Sequence, residues 1–219
     1  MAQWIIQQKW SDVLFVSFEV DYDLLRSELP KDLEVDTFNG KAYLSIVPFV
    51  MSDIRFFFTP PLPFSKLSEL NLRTYVRYKN KPGIYFFTLD SDHRLGNFLA
   101  QKIFNLPYRY AILDINIDNN VYNVQSKNSL SLKVMIKDKK IKTDLSNWIT
   151  ERYFLYNIVD EKVSRGDVLH PTWNLKEAEV INIDDQFSKQ FNLDVCPTQY
   201  HCFYSKEINV RFRPFVYNI

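Results

Sequence analysis

The residue types best spaced for chemistry are Glu69, Asn71, Arg73 and Tyr75, which alternate with Leu70, Leu72, Thr74 and Val76. Side chains of an extended strand point to opposite faces in turn, so the four polar groups share one face and the apolar set shares the other. A carboxylate, an amide, a guanidinium and a phenol in one row can bind an anion and move a proton beside it. The row is either an ordinary solvated face or the wall of an enclosed space. In an enclosed space a guanidinium needs a carboxylate, supplied by Glu69 or by a ligand. The next segment, Ile84-Tyr85-Phe86-Phe87-Thr88-Leu89, is apolar on both faces, as expected of a strand covered on each side. Pairing of the two strands across a Lys81-Pro82-Gly83 turn would direct the row inward. Arg73 is then the expected anionic anchor, with Glu69 its partner when no ligand is bound.

Other reactive types are scattered. His93, His170 and His201 have no metal-ligand spacing. His170, followed by Pro171 and Trp173, is either a satisfied structural histidine or a polar group held against an aromatic wall. Ser205 lacks the glycines of a nucleophile elbow, and no phosphate-cradling loop occurs. No cofactor and no metal are expected. Cys196 and Cys202 form no redox or metal motif, and the opening MAQWIIQQKW has no charged-then-apolar export signal. Both thiols are therefore expected free and the protein cytoplasmic.

The elements that would position the row are mostly strands. Period-two alternation marks Leu14–Val20, Leu130–Ile136 and Glu207–Arg213 as half-buried strands. Asn39-Gly40 reads as a hairpin turn between Leu33–Phe38 and Ala42–Val50. Pro48 cannot donate to a ladder and marks an interruption, a bulge or an edge. Helices are few and short. Asp21 caps one over Tyr22–Leu29, and Ser91 or Asp92 caps one with Leu95, Phe98, Leu99, Ile103 and Leu106 on a single face. Thr143 or Asp144 starts a third, and Phe187 and Phe191 suggest a fourth. The 219 residues suit a single domain, 1–219, with a mainly β (α+β) fold. Closure into a barrel would remove exposed edges, although alternation alone does not separate a barrel from a sandwich.

Aromatic residues make up 16% of the chain, with 18 Phe and 13 Tyr, enough to pack a β-rich core and to line a cavity. A net charge of +1, from 27 basic and 26 acidic residues, supplies no field for nucleic acid or an anionic membrane. The basic run Lys137–Lys142 reads as a solvated loop, and no apolar run is long enough to cross a bilayer as a helix.

An ordered set of motifs then resembles the YqjF-like family of uncharacterised proteins. It includes Val35-Asp36-Thr37-Phe38-Asn39-Gly40, Val47-Pro48-Phe49, Glu69 to Tyr75, Phe86-Phe87-Thr88-Leu89-Asp90, Leu106-Pro107-Tyr108, Glu151-Arg152-Tyr153 and His170-Pro171-Thr172-Trp173. Through that family the chain looks like the acetoacetate decarboxylase fold, which implies a closed antiparallel β-barrel with a few peripheral helices and a small-molecule cavity. In the decarboxylases a Pro-Lys-Lys segment follows the helix and supplies a Schiff-base lysine with a cationic neighbour. Here Tyr108 and Arg109 follow Pro107, which leaves a cation and no amine, and arginine does not substitute as a nucleophile. The resemblance thus implies a cavity in which Tyr108, Arg109 and Arg73 bind a carboxylate, with Arg152, His170 and Trp173 as further candidates. Three readings stay open. The chain is an enzyme on a small organic acid without a Schiff base, a non-catalytic sensor or carrier, or a homo-oligomeric structural protein with a filled barrel.

Overall fold

The computed structural model describes residues 4–57, 59–63, 66–127 and 129–219. The strands in chain order are β1 (Ile6–Val20), β2 (Glu34–Val35), β3 (Ala42–Phe56), β4 (Leu67–Tyr78), β5 (Lys81–Ser91), β6 (Tyr108–Tyr110) and β7 (Leu113–Asp118), followed by β8 (Val121–Ser126), β9 (Leu130–Lys140), β10 (Phe154–Val159), β11 (Lys162–Leu169), β12 (Lys176–Asp185) and β13 (Tyr200–Phe212). Helices α1 (Tyr22–Ser27), α2 (Arg94–Phe104) and α3 (Asp144–Thr150) and a 3-10 turn at Lys189–Phe191 lie between them.

Pairing runs β1-β3-β4-β5-β10-β11-β13 and returns from β13 to β1, so seven strands close a ring. The ring is consistent with the expected barrel, with one correction. The pairing β5–β10 is parallel, so the ring is not wholly antiparallel, and β6, off the ring, also pairs parallel to β5. Beyond β13 the sheet continues through β12, β9 and β8 to β7. This antiparallel wing covers part of the outside of the ring. Leu70, Leu72 and Val76 of β4 and Leu44 and Ile46 of β3 share one core with Tyr122, Val124, Leu132 and Val134 of the wing. Apolar residues of alternate strand positions, including Val13, Phe15, Val47, Phe49 and Ile84, form a second core inside the ring with Trp173 of the β11–β12 link. Two cores explain why β4 and β5 have no solvated face.

Several local expectations are corrected. The β4–β5 turn is Lys79-Asn80, both at positive φ, and not Lys81-Pro82-Gly83, which already belongs to β5. Gly83 is needed there because a Cβ would meet the Tyr156 ring at 2.6 Å and the Phe154 carbonyl at 2.7 Å. Asn39 and Gly40 do turn the chain at positive φ, but only a Phe38–Lys41 bridge closes it, and β2 pairs with β4 instead. Pro48 lies opposite a β1 irregularity that centres on Asp12 at φ 53°, so the missing donor falls at a bulge. Lys137–Lys140 is not a loop. It ends β9 and pairs in a charge ladder with β12, Lys137 to Glu179 and Lys139 to Glu177. His93, and neither Ser91 nor Asp92, caps α2 by accepting from the Gly96 amide at 2.9 Å. Leu95 and Phe98 of that helix are exposed, and the side chains of Leu99 and Ile103 lie outside the described residues. Asp21 and Thr143 cap α1 and α3 as expected.

Candidate functional site

The inside of the ring is not completely filled. A cavity of about 110 Å³ is lined by Glu69, Asn71 and Arg73 of β4, by Tyr108 of β6 and by Arg152 just after α3. Its apolar walls include Trp10, Phe15, Phe49, Phe86 and Trp173. The aromatic packing is close, with Trp10 and Phe49 centroids 4.9 Å apart and Phe15 edge-on to Trp173 at 5.0 Å. A water takes roughly 10–15 Å³ of such volume, so the space is on the scale of a small organic molecule.

The three β4 residues point inward because Leu70, Leu72 and Thr74 are taken by the outer core and by the Tyr43 carbonyl. Opposite them, β5 carries one extra residue between its pairings with Leu72 and Arg73. That bulge reverses the alternation of β5, so that Phe86 and Leu89 both face the cavity while Asp90 faces away. Asp90 there holds Arg109 through two bonds, Nε to Oδ1 at 2.8 Å and Nη2 to Oδ2 at 3.0 Å. Arg109 is therefore not a cavity residue. The pleat of β6 turns Tyr108 in and Arg109 out, where it is exposed and packs over Phe191. Tyr75 is also displaced from its expected role. It is fully buried behind the cavity, its hydroxyl bonded to Ser45 at 2.6 Å and its ring 4.6 Å from Trp148.

The guanidiniums of Arg73 and Arg152 meet at the end of the cavity that α3 closes. Three successive carbonyls at the C-terminus of α3 lack helical donors and are taken by side chains. Trp148 O accepts from Arg152 Nε at 2.6 Å, Ile149 O from Arg73 Nη2 at 3.2 Å, and Thr150 O from Trp173 Nε1 at 2.9 Å. Arg152 is also paired with buried Asp36 at 2.6 Å, and the second oxygen of Asp36 pairs with half-exposed Arg77. Arg152 lies over Trp148, with its guanidinium carbon 4.2 Å from the ring centroid. Burial lowers the Arg152 pKa, Asp36 opposes that, and the nearby Arg73 adds to the lowering.

Arg73 has no such counter-charge. The expected pair with Glu69 does not form, because the two occupy different ends of the row. Consecutive inward positions on a strand are about 6.8 Å apart, which separates the Glu69 and Arg73 Cα atoms by about 13 Å. Among the described residues Arg73 makes no ion pair, and three buried polar atoms of the site have no hydrogen-bond partner: Arg73 Nε, Arg152 Nη2 and Asn71 Oδ1. Asn71, Arg73 and Arg152 are 4%, 7% and 6% exposed, so these atoms are turned into the protein and not into bulk solvent.

At the other end, Glu69 accepts from the Tyr108 hydroxyl at 2.9 Å and weakly from Asn71 at 3.5 Å. Burial pushes its carboxyl up to about 7. The bonds from Tyr108 and Asn71 oppose that rise, and the Asp90 charge adds to it. The Tyr108 phenol is pushed well above its ordinary value by burial and by Glu69. A carboxyl that titrates near neutral pH in a cavity can give or take a proton under ordinary conditions. His170 lies at the margin of the cavity, stacked on Tyr153 at 4.6 Å, with Nδ1 2.8 Å from the Pro171 carbonyl. Among the described residues no lysine lines the space and no cluster of metal-ligating side chains occurs.

Of the expected site residues, Glu69, Asn71, Arg73, Tyr108, Arg152, His170 and Trp173 line one cavity and Arg109 and Tyr75 do not, while Asp36, which pairs with Arg152, was not among them. Asp36 follows Asp32 and Glu34 at the same spacing, and nothing local marks it as the buried one of the three.

Residues 7–209 match the DUF2071 family, described as an uncharacterized conserved protein. The chain is similar to the uncharacterized protein YqjF of Bacillus subtilis (strain 168), with 42% identity over 186 residues that cover 80% of this chain and 77% of that protein. Among solved structures it is similar to acetoacetate decarboxylase from Legionella pneumophila subsp. pneumophila str. Philadelphia 1, with a TM-score of 0.72, 11% identity and coverage of 96% of this chain and 86% of that one. It is also similar to the enduracididine biosynthesis enzyme MppR complexed with pyruvate, with a TM-score of 0.70, 11% identity and coverage of 100% and 92%. At these identities the two structures share a fold with this chain.

Proposed function

This chain belongs to the DUF2071 family, and from that premise we propose that it binds a small organic anion, a carboxylate, in the ring cavity and acts on it without a lysine Schiff base. The observation that carries the reading is the pair of buried guanidiniums with unpartnered N–H groups, of which Arg73 has no carboxylate to balance it. Keeping an unpaired cation out of water is costly, and a ligand carboxylate that pairs with the Arg73 guanidinium on the cavity wall relieves that cost. The fold neighbours support the same direction, since they are enzymes and one of them holds pyruvate. Tyr108 on the cavity wall and the lack of a lining lysine among the described residues argue against an iminium intermediate. No helix of the described residues is long and apolar enough to cross a membrane.

The test is a thermal-shift and native mass-spectrometry series of small carboxylates against the parent, Arg73→Lys and Arg73→Leu. Lysine keeps the charge but loses the fork, so affinity should fall about tenfold, the loss of one good charged bond. Leucine should abolish binding. Equal affinity in all three proteins would remove Arg73 from the site and the reading with it.

A further inference from the structure

We propose that Glu69 is a catalytic acid–base residue that moves a proton at a carbon beside a carbonyl, on a substrate whose anionic group is held at the opposite end of the cavity. The inference rests on the carboxylate-binding reading and adds a reaction and a substrate shape to it. Its geometric basis is the polarity of the β4 row. Arg73 and Arg152 collect unsatisfied donors at the α3 end, whereas Glu69 and Tyr108 hold the only carboxyl and the only phenol that line the cavity among the described residues, about 13 Å of strand away. Between them lie Asn71 and walls of Phe15, Phe86 and Trp173, which carry no charge. A ligand anchored by its anion therefore presents its far end, and not the atoms next to the anion, to Glu69. A compact acid with its carbonyl beside the carboxylate does not reach both ends. A rigid apolar spacer of about the width of a benzene ring does.

The step needs no co-reactant. One oxygen of ionised Glu69 takes the proton from the C–H bond next to the ketone. The electron pair of that bond becomes the carbon–carbon double bond of the enolate, and the carbonyl pair moves onto oxygen. Asn71 Nδ2 is placed to donate to that oxygen, because it makes only one long bond, at 3.5 Å to Glu69. Glu69 then returns a proton to carbon, which restores the ketone or completes a tautomerisation. The position of the Glu69 carboxyl near neutrality supports this cycle, since both of its forms are populated at pH 7.

The experiment incubates the full chain in D2O with 4-acetylbenzoate, levulinate or pyruvate and follows loss of C–H signal by NMR, with saturation transfer from the protein to each compound reporting binding. The expected result is catalysed exchange of the 4-acetylbenzoate methyl at least tenfold above the buffer rate, slower exchange of levulinate and little of pyruvate. Glu69→Gln should return exchange to the buffer rate while saturation transfer persists, and Arg73→Leu should lose both. Binding without exchange, or exchange that survives Glu69→Gln, overturns the catalytic assignment and leaves a carrier or sensor of carboxylates. Pyruvate exchange as fast as that of 4-acetylbenzoate overturns the proposed separation of anchor and acid–base group. An absence of binding to any of the three compounds overturns both this inference and the reading on which it rests.

Discussion

Replacing Arg73 by leucine should raise the stability of the ligand-free protein, an unusual outcome for a buried arginine. The side chain is 7% exposed, has one hydrogen bond, at 3.2 Å to the Ile149 carbonyl, and lies 5.2 Å from the Phe15 ring. That bond contributes about 1.5–3 kcal/mol and the ring contact about 0.5–1 kcal/mol. Against them stands the desolvation of a cation without a counter-ion, several kcal/mol, and the repulsion from Arg152. A leucine of suitable volume removes both penalties and adds apolar contact with Phe15. The net gain is about 1–2 kcal/mol, or a rise in Tm of roughly 2–8 °C for a chain of this size. Arg152→Leu is the contrasting variant. It leaves Asp36, which is 2% exposed, with only half-exposed Arg77, at a cost of about 3–5 kcal/mol and a Tm drop of roughly 6–20 °C. Differential scanning calorimetry of ligand-free protein decides the matter. A fall of more than about 4 °C for Arg73→Leu would show that Arg73 is satisfied by the fold itself and is not held ready for an anion.

Stability should also depend on Glu69. Its carboxyl is raised from 4.5 to about 7 in the folded state by burial, against the bonds from Tyr108 and Asn71 and with Asp90 adding to the rise, so the native state binds the proton more tightly than the unfolded chain does. The contribution is full below pH 4.5 and is lost as pH rises through 7, a decline of about 3 kcal/mol that urea denaturation at pH 5 and pH 8 should register and Glu69→Gln should flatten. Both cysteines are free, Cys196 exposed and Cys202 buried, so an aromatic disulfide reagent should label one thiol in the native protein and two in denaturant. Borohydride with acetoacetate or pyruvate should leave the protein mass unchanged. An adduct on any lysine would show an amine that reaches the cavity.

The row on β4 was legible because a period of two is visible in Glu69 to Val76, and the apolar alternate set demanded cover on its own side. The two-sided apolar character of Ile84–Leu89 likewise pointed to a strand between two cores. What defeated the reading was non-local or depended on a single inserted residue. The β5 bulge leaves no signature in a run of Tyr-Phe-Phe, yet it decides that Leu89 and not Asp90 enters the cavity. Asp90 then fixes Arg109 outside, a consequence that no spacing near Arg109 reveals. Lys81-Pro82-Gly83 carries stronger turn residues than Lys79-Asn80, but Gly83 serves close packing against Tyr156 instead. Asp36 and Arg152 are 116 positions apart in sequence and meet only because β2 joins β4 and α3 covers the end of the ring.

The most direct measurement is a crystal structure of the protein soaked with 4-acetylbenzoate. The account predicts its carboxylate within hydrogen-bond distance of the Arg73 and Arg152 guanidiniums, its ring against the wall of Phe86 and Trp173, and its ketone directed at Glu69 and Asn71. Density for the compound outside the ring, or a cavity in which both guanidiniums are met by water alone, would contradict it.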